Sequence, residues 1–257
     1  MVSFNSNQCC KNYSTIVSVL EAHLFGGVLH DILDKRYQQM IHSVNTPHGE
    51  WENNIPGCRI VEGKNSAGKE LKDVQLQVPL VMIPSLGEFA KYFNLGHDLP
   101  FWIENDAADK RIMLISQDPL RNGQESGVLT LSTPFGMHSI DYRGNKVYTQ
   151  IVDGLLKENC SVYLTDCHKL YATKEQSNKS RTPSIITGQN DEEILREEIE
   201  FFKPSKIVAI GKIAEQLLRG MGYKSLAVPH PSAKFPKSSF APFTRIVDWY
   251  INTIINP

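Results

Sequence analysis

Between Tyr13 and Ser43, the apolar residues Ile16, Val19, Leu20, Leu24, Val28, Leu29, Ile32 and Leu33 recur at three- and four-residue steps. That is the period of an amphipathic helix, and Gly26-Gly27 predicts a break within it. A turn-rich stretch follows from Asn45 to Gly68. Val74–Ile83 alternates loosely, as an extra strand or an extended segment does. From Arg111 onward the pattern becomes regular. Short apolar runs predict strands at Arg111–Ile115, Ser161–Leu164, Lys206–Ile210 and Ser225–Val228. Helical periods cover Val147–Glu158, with Ile151, Leu155 and Leu156 on one face, then Asp191–Phe202, Ile213–Met221 and Phe243–Ile255. Asn190 or Asp191 is the expected N-cap of the second of these, acidic residues fill its first turn, and Gly222 stops the third.

Strands alternating with helices predict a three-layer α/β/α fold around a central four-stranded parallel sheet. Residues 101–257 are expected to form this α/β domain, and residues 1–100 a mostly helical extension packed on its core. Right-handed crossovers put every carboxyl end of the strands on one rim. Ligands of open α/β sheets bind at that rim. It would collect Asp118, Asp166, Gly211 and His230. Two polar stretches mark it: Ser116-Gln117-Asp118-Pro119 after the first strand, and His230-Pro231-Ser232 after the last. An acid after one strand and a histidine after the last, with two strands between, is a sharper pattern than either stretch alone.

Composition narrows the chemistry. The 257 residues can bury a full core, and 41% hydrophobic with 21% charged residues is ordinary for a soluble protein. No apolar run approaches the roughly 20 residues that span a bilayer, and the N-terminal residues lack the basic and apolar regions of a signal peptide. A cytoplasmic protein without a membrane partner is expected. The net charge of −1 gives no global attraction for nucleic acid, so any such contact needs a local patch. Two basic segments offer one: His168 to Arg181, with Lys169, Lys174 and Lys179, and Lys234 to Lys237. A solvated basic loop is the alternative for each. Cys9, Cys10, Cys58, Cys160 and Cys167 include no Cys-x-x-Cys pair, so free thiols are expected and no metal is indicated. There is no Gly-x-Ser-x-Gly, phosphate-binding glycine loop or dinucleotide fingerprint to suggest another α/β enzyme.

From about Arg111 to the C-terminus the residues resemble the uracil-DNA glycosylase superfamily. Ser-Gln-Asp-Pro at 116–119 is similar to the Gly-Gln-Asp-Pro-Tyr-His water-activating motif of its main family, and His230-Pro231-Ser232 to its His-Pro-Ser motif. The middle is closer to the iron–sulfur branch: Pro134-Phe135-Gly136 resembles a segment that supplies a stacking ring. Val162 to Lys169 resembles a strand running into an Asn and a Lys, and Lys203-Pro204 through Gly211 is similar as well. The resemblance implies a DNA glycosylase that hydrolyses the N-glycosidic bond of a deaminated or modified base in repair, as a monomer and without a cofactor. Its chemistry assigns Asp118 and His230 to catalysis. The carboxylate would orient water and stabilise the cationic sugar, and the histidine would hydrogen-bond the departing base. Gln117, Phe135 and Asp166 would bind the base flipped out of the stack. Ser232, Lys234, Phe235 and Lys169 would contact DNA.

The departures from the family are specific. Leu120 stands where the main family has the Tyr that excludes the thymine methyl, and Arg121 replaces the His after it. Asp166 replaces the base-reading Asn. An ionised carboxylate only accepts hydrogen bonds, so it opposes uracil O4. A protonated Asp166, or a substrate with an exocyclic amine, removes the conflict; the alternative is that Asp166 points away. Leu170 lies near one position of a cluster cysteine, and none follows Asn190, so no iron–sulfur cluster is expected. After His-Pro-Ser come Ala233, Lys234 and Phe235, near the family's Leu wedge. Phe235 is either the wedge or a loop aromatic folded onto the surface. A non-catalytic member of the superfamily, binding nucleic acid, a base or a protein partner, is the competing reading.

Overall fold

A computed structural model describes residues 8–43, 59–64, 70–91, 94–117, 126–137, 147–173, 190–231 and 245–256. The first helix, α1 (Tyr13–Leu20), runs into a π-helical turn at Glu21–Phe25. Gly26 and Gly27 then take φ of 65° and 82°, a left-handed backbone that glycine adopts without Cβ strain. The chain restarts as α2 (His30–Ser43). The expected break is therefore present, and Val28, outside both helices, is exposed rather than core-facing.

Four strands and two turns of 3₁₀ helix follow: β1 (Arg59–Lys64), β2 (Glu70–Pro79), β3 (Asn94–Asp98) and β4 (Phe101–Ile103), with the 3₁₀ turns at Leu80–Met82 and Pro84–Lys91. Among the described residues of the first hundred, strands thus accompany the expected helices. β1 lies inside the stretch expected to be turns, and β2 takes the strand alternative for the segment around Val74. The remaining elements are β5 (Lys110–Ser116), β6 (Val128–Ser132), α3 (Val147–Lys157), β7 (Cys160–Asp166), β8 (Tyr171–Thr173), α4 (Asp191–Phe202), β9 (Lys206–Ile210), α5 (Lys212–Gly220), β10 (Leu226–Val228) and α6 (Ile246–Ile255).

The central sheet has the order β10-β9-β5-β7-β4. Its first four strands are parallel, as expected, and β4 adds an antiparallel edge. From β5 the chain crosses to β7 in one direction, then returns through β9 to β10 in the other. Right-handed crossovers consequently put α3 on one face and α4 and α5 on the opposite one. The closing helix α6 packs beside α3, and α1 packs against α4. A second sheet, β1-β2-β6-β3-β8, mixes parallel and antiparallel pairs. It takes strands from both sides of residue 100, so the stretch expected as an extension packed on the core and the α/β domain share one sheet.

Buried residues cover the central sheet on both faces, Ile112, Leu114, Val162, Leu164, Val208 and Ile210 on one and Met113, Ile115, Tyr163, Ile207 and Ala209 on the other. That explains why its strands read as continuous apolar runs. On the α4 side, Tyr163 and Trp102 meet Phe202 with ring centroids 5.1 and 5.0 Å apart. Asn190 stands at the N-cap of α4 as expected, without the side-chain bond of an ordinary cap. It is left-handed at φ 80°, and its Nδ2 instead donates to the His23 carbonyl at 2.8 Å. Among the described residues, no helix is long and apolar enough to cross a membrane.

Candidate active site

Register fixes the rim. Ser116 and Asp166, the last residues of β5 and β7, are direct neighbours, and Ile210 pairs with Val228 at the ends of β9 and β10. Two residues beyond Val228 stands His230. The turn leading to it is held by the Tyr250 hydroxyl of α6, which donates to the Pro229 carbonyl at 2.6 Å. Gly211 opens the β9–α5 turn at φ 91° and donates its N–H to Val228, and a Cβ built there would lie 3.9 Å from that of His230.

Asp166 is 2% exposed, and Ser116 Oγ donates to its Oδ1. Gln117 is partly exposed; its carbonyl accepts the His168 N–H at 3.0 Å and the Cys167 thiol at 3.2 Å, tying the two strand ends together. Phe135 sits in a 3₁₀ turn after β6 with φ 58° and ψ 14°, a left-handed conformation that an L-aromatic rarely adopts. Such strain persists where the surroundings over-determine it, commonly at binding sites.

One residue without an assigned role lies between these groups. Tyr148, in the first turn of α3, stacks on Phe135 with centroids 3.8 Å apart and planes 10° from parallel. Its hydroxyl lies 2.6 Å from Nε2 and 3.1 Å from Nδ1 of His230. Burial, then the neighbouring Tyr250 and Asp166, push the Tyr148 phenol well above its ordinary range, so it keeps its proton and donates. Burial also lowers the proton affinity of the half-buried His230, favouring the neutral imidazole that accepts it. Below this layer an apolar pocket runs between the sheet and the α3–α6 pair, lined by Leu114, Leu164, Ile210, Val228, Ile151 and Ile254 among others. In a βαβ unit the crossover helix starts on the rim where the preceding strand ended. That is the signal that could have marked Tyr148, since a tyrosine in a helix carries no motif of its own.

Of the residues the sequence singled out, Phe135 and His230 both touch Tyr148, and Asp166, at the end of β7 on the same rim, is near enough for its charge to act on the phenol. Asp118, Ser232, Lys234 and Phe235 lie outside the described residues. Lys169 is a correction. It is 1% exposed, with its Nζ 2.6 Å from Glu198 and 2.7 Å from Thr165 Oγ1, and cannot reach a DNA backbone. Burial raises the Glu198 carboxyl above its ordinary range against the pull of the Lys169 ammonium. His168 is buried too, 3.1 Å from Asp191, so the basic segment that starts there begins inside the protein. Cys9, Cys10, Cys160 and Cys167 are buried with no disulfide among them, and no group of three or more His, Cys, Asp or Glu among the described residues is placed to hold a metal ion.

No curated protein matches the chain. The family model described as the uracil DNA glycosylase superfamily matches residues 104–249, from the residue after β4 to the middle of α6. That span contains the parallel strands, the strained Phe135, the Ser116–Asp166 pair and His230, over more than half of the 257 residues. The chain belongs to the uracil DNA glycosylase superfamily.

Proposed function

We propose that this chain is a DNA glycosylase that hydrolyses the N-glycosidic bond of a deaminated or modified base. The observation that carries the reading is the placing of a stacking ring, Phe135, and a half-buried histidine, His230, on either side of one ring-sized space, on the rim where β7 ends in the buried carboxylate of Asp166. In this mechanism the bond between sugar C1′ and the base nitrogen breaks, and its electron pair leaves with the base. Positive charge grows on the sugar and negative charge on the base oxygens. A neutral imidazole carries one N–H, and His230 would donate it to a base oxygen as that charge develops. Asp118, two residues beyond the end of β5, would orient the water that adds to C1′ and take up its proton.

The direct test is release of free base from single-stranded oligonucleotides that each carry one modified base. Asp118→Asn is expected to reduce release by about 100-fold or more while leaving oligonucleotide affinity within about threefold, because the carboxylate acts on the cationic transition state. Wild-type protein that binds these oligonucleotides and releases no base would favour the second reading, a superfamily member that binds without catalysis. One observation favours that reading: the space between Phe135 and His230 is filled by Tyr148.

A further inference from the structure

The arrangement around Tyr148 has the form of a bound complex. A six-membered ring lies flat on Phe135, 3.8 Å away, and carries an oxygen 2.6 Å from His230 Nε2. Aromatic stacking on one side and an oxygen facing a histidine on the other are the two contacts proposed above for a departing base. Tyr148 fills both places from within the chain, with the proton of the second contact on its hydroxyl rather than on the imidazole. We propose that Tyr148 is a specificity-determining residue that occupies the base position, so that a base binds only by displacing the ring. The inference rests on reading Phe135 and His230 as the base-binding groups.

Displacement is feasible because Tyr148 is only partly buried and sits in the first turn of α3 rather than its middle. The cost of displacement is a filter. A base that returns only the stacking recovers one of the two contacts, whereas a base with a carbonyl oxygen facing His230 recovers both. The stacked pair and the hydroxyl–imidazole bond together hold the closed arrangement by about 5- to 100-fold in population, and base affinity is reduced by that factor.

The test is calorimetric titration of the full chain with free uracil and free cytosine as probes. Tyr148→Ala is expected to bind at least one of them about 5- to 100-fold more tightly than wild type. Tyr148→Phe, which keeps the ring and loses the bond to His230, should fall between them. The gain should vanish in the Tyr148→Ala/Phe135→Ala double variant, since the base would have lost its stacking surface. Folded variants that bind both bases no better than wild type overturn the proposal, as does a gain that survives Phe135→Ala. Should Tyr148→Ala not fold, Tyr148→Phe decides alone, and no gain there overturns it. Base release separates this proposal from the glycosylase reading. A gain in base affinity without any excision leaves Tyr148 as the occupant and removes the enzyme. Excision by wild type with no gain in the variants does the reverse.

Discussion

At the level of single residues, the Ser116–Asp166 pair decides what the pocket can read. The Ser116 hydroxyl donates to Oδ1 of Asp166, which orients the carboxylate on the rim. An asparagine at this position can keep that bond through its own Oδ1 and turn its amide N–H₂ to the other side, where Asp166 offers only an acceptor. Asp166→Asn is therefore expected to raise uracil release from a single-stranded oligonucleotide by about tenfold or more, one hydrogen bond's worth of discrimination. Efficient uracil release by wild type at neutral pH, with no gain in the variant, would mean that Asp166 does not read the base. The sequence made this position legible because it ends an apolar strand. Lys169, three residues later, was misread for a related reason. A lysine after a strand end reads as surface, yet here it turns inward to Glu198, a partner 29 residues away that no local pattern connects to it. Tyr148 stayed silent because its contacts come from two separate segments.

At the level of elements, the parallel strands β5, β7, β9 and β10 and the helices α3 to α6 were legible because each is buried on a fixed face, whereas β6 and β8, which belong to the second sheet, were not read. The limits of α4 and β9 coincide with the expected ones, and those of β5, α3, β7, α5, β10 and α6 fall within three residues. Of the strands before residue 100, β2 was read only as one of two alternatives because its alternation is loose, and β1 and β3, which find their partners through the second sheet, were not read. The contact between α3 and α6 was equally invisible, although it builds the wall of the apolar pocket. Gly154 of α3 lies against Ile251, and a Cβ there would come within 2.1 Å of Ile251 Cδ1 and 2.8 Å of Cγ1. A helix-interior glycine ordinarily costs about 1 kcal/mol relative to alanine, so Gly154→Ala would stabilise an open helix face. Here the overpacking cost of about 1–3 kcal/mol opposes it. The expected outcome is a net loss of about 1 kcal/mol in denaturant unfolding. In an Ile251→Ala background only Cβ remains, at 4.0 Å, and the same substitution should become neutral or stabilising. Additive effects of the two substitutions would show that the helices do not pack as closely as this.

For the whole molecule, the question is whether residues 101–257 can stand without the first hundred. The superfamily match begins at residue 104, which invites a cut there. The contacts argue against it. β6 lies between β2 and β3, and β8 pairs with β3, so removal of residues 1–100 strips both of their backbone partners in the second sheet. At the edge of the central sheet, the Cys10 N–H donates to the Trp102 carbonyl at 2.5 Å and the Glu104 N–H to the Gln8 carbonyl at 2.7 Å. Deeper in, His97 Nδ1 lies 2.6 Å from the carbonyl of Lys169, in the segment that leaves Asp166. Leu20, Phe25, Leu29, Leu33 and Tyr37 are fully buried, so their removal also exposes whatever apolar surface they cover. Orphaned strand edges beside exposed apolar surface favour aggregation over folding. The full chain is thus expected to unfold in one cooperative transition, and the fragment 101–257 to show no transition of its own by calorimetry or denaturant titration. A fragment that melts cooperatively and yields a dispersed NMR spectrum would instead establish an independent domain and reduce the first hundred residues to an attachment. Because the carbonyl of Lys169 is held by His97, the same experiment reports on the site: even a partly folded fragment should lose the placement of the strand end that carries Asp166.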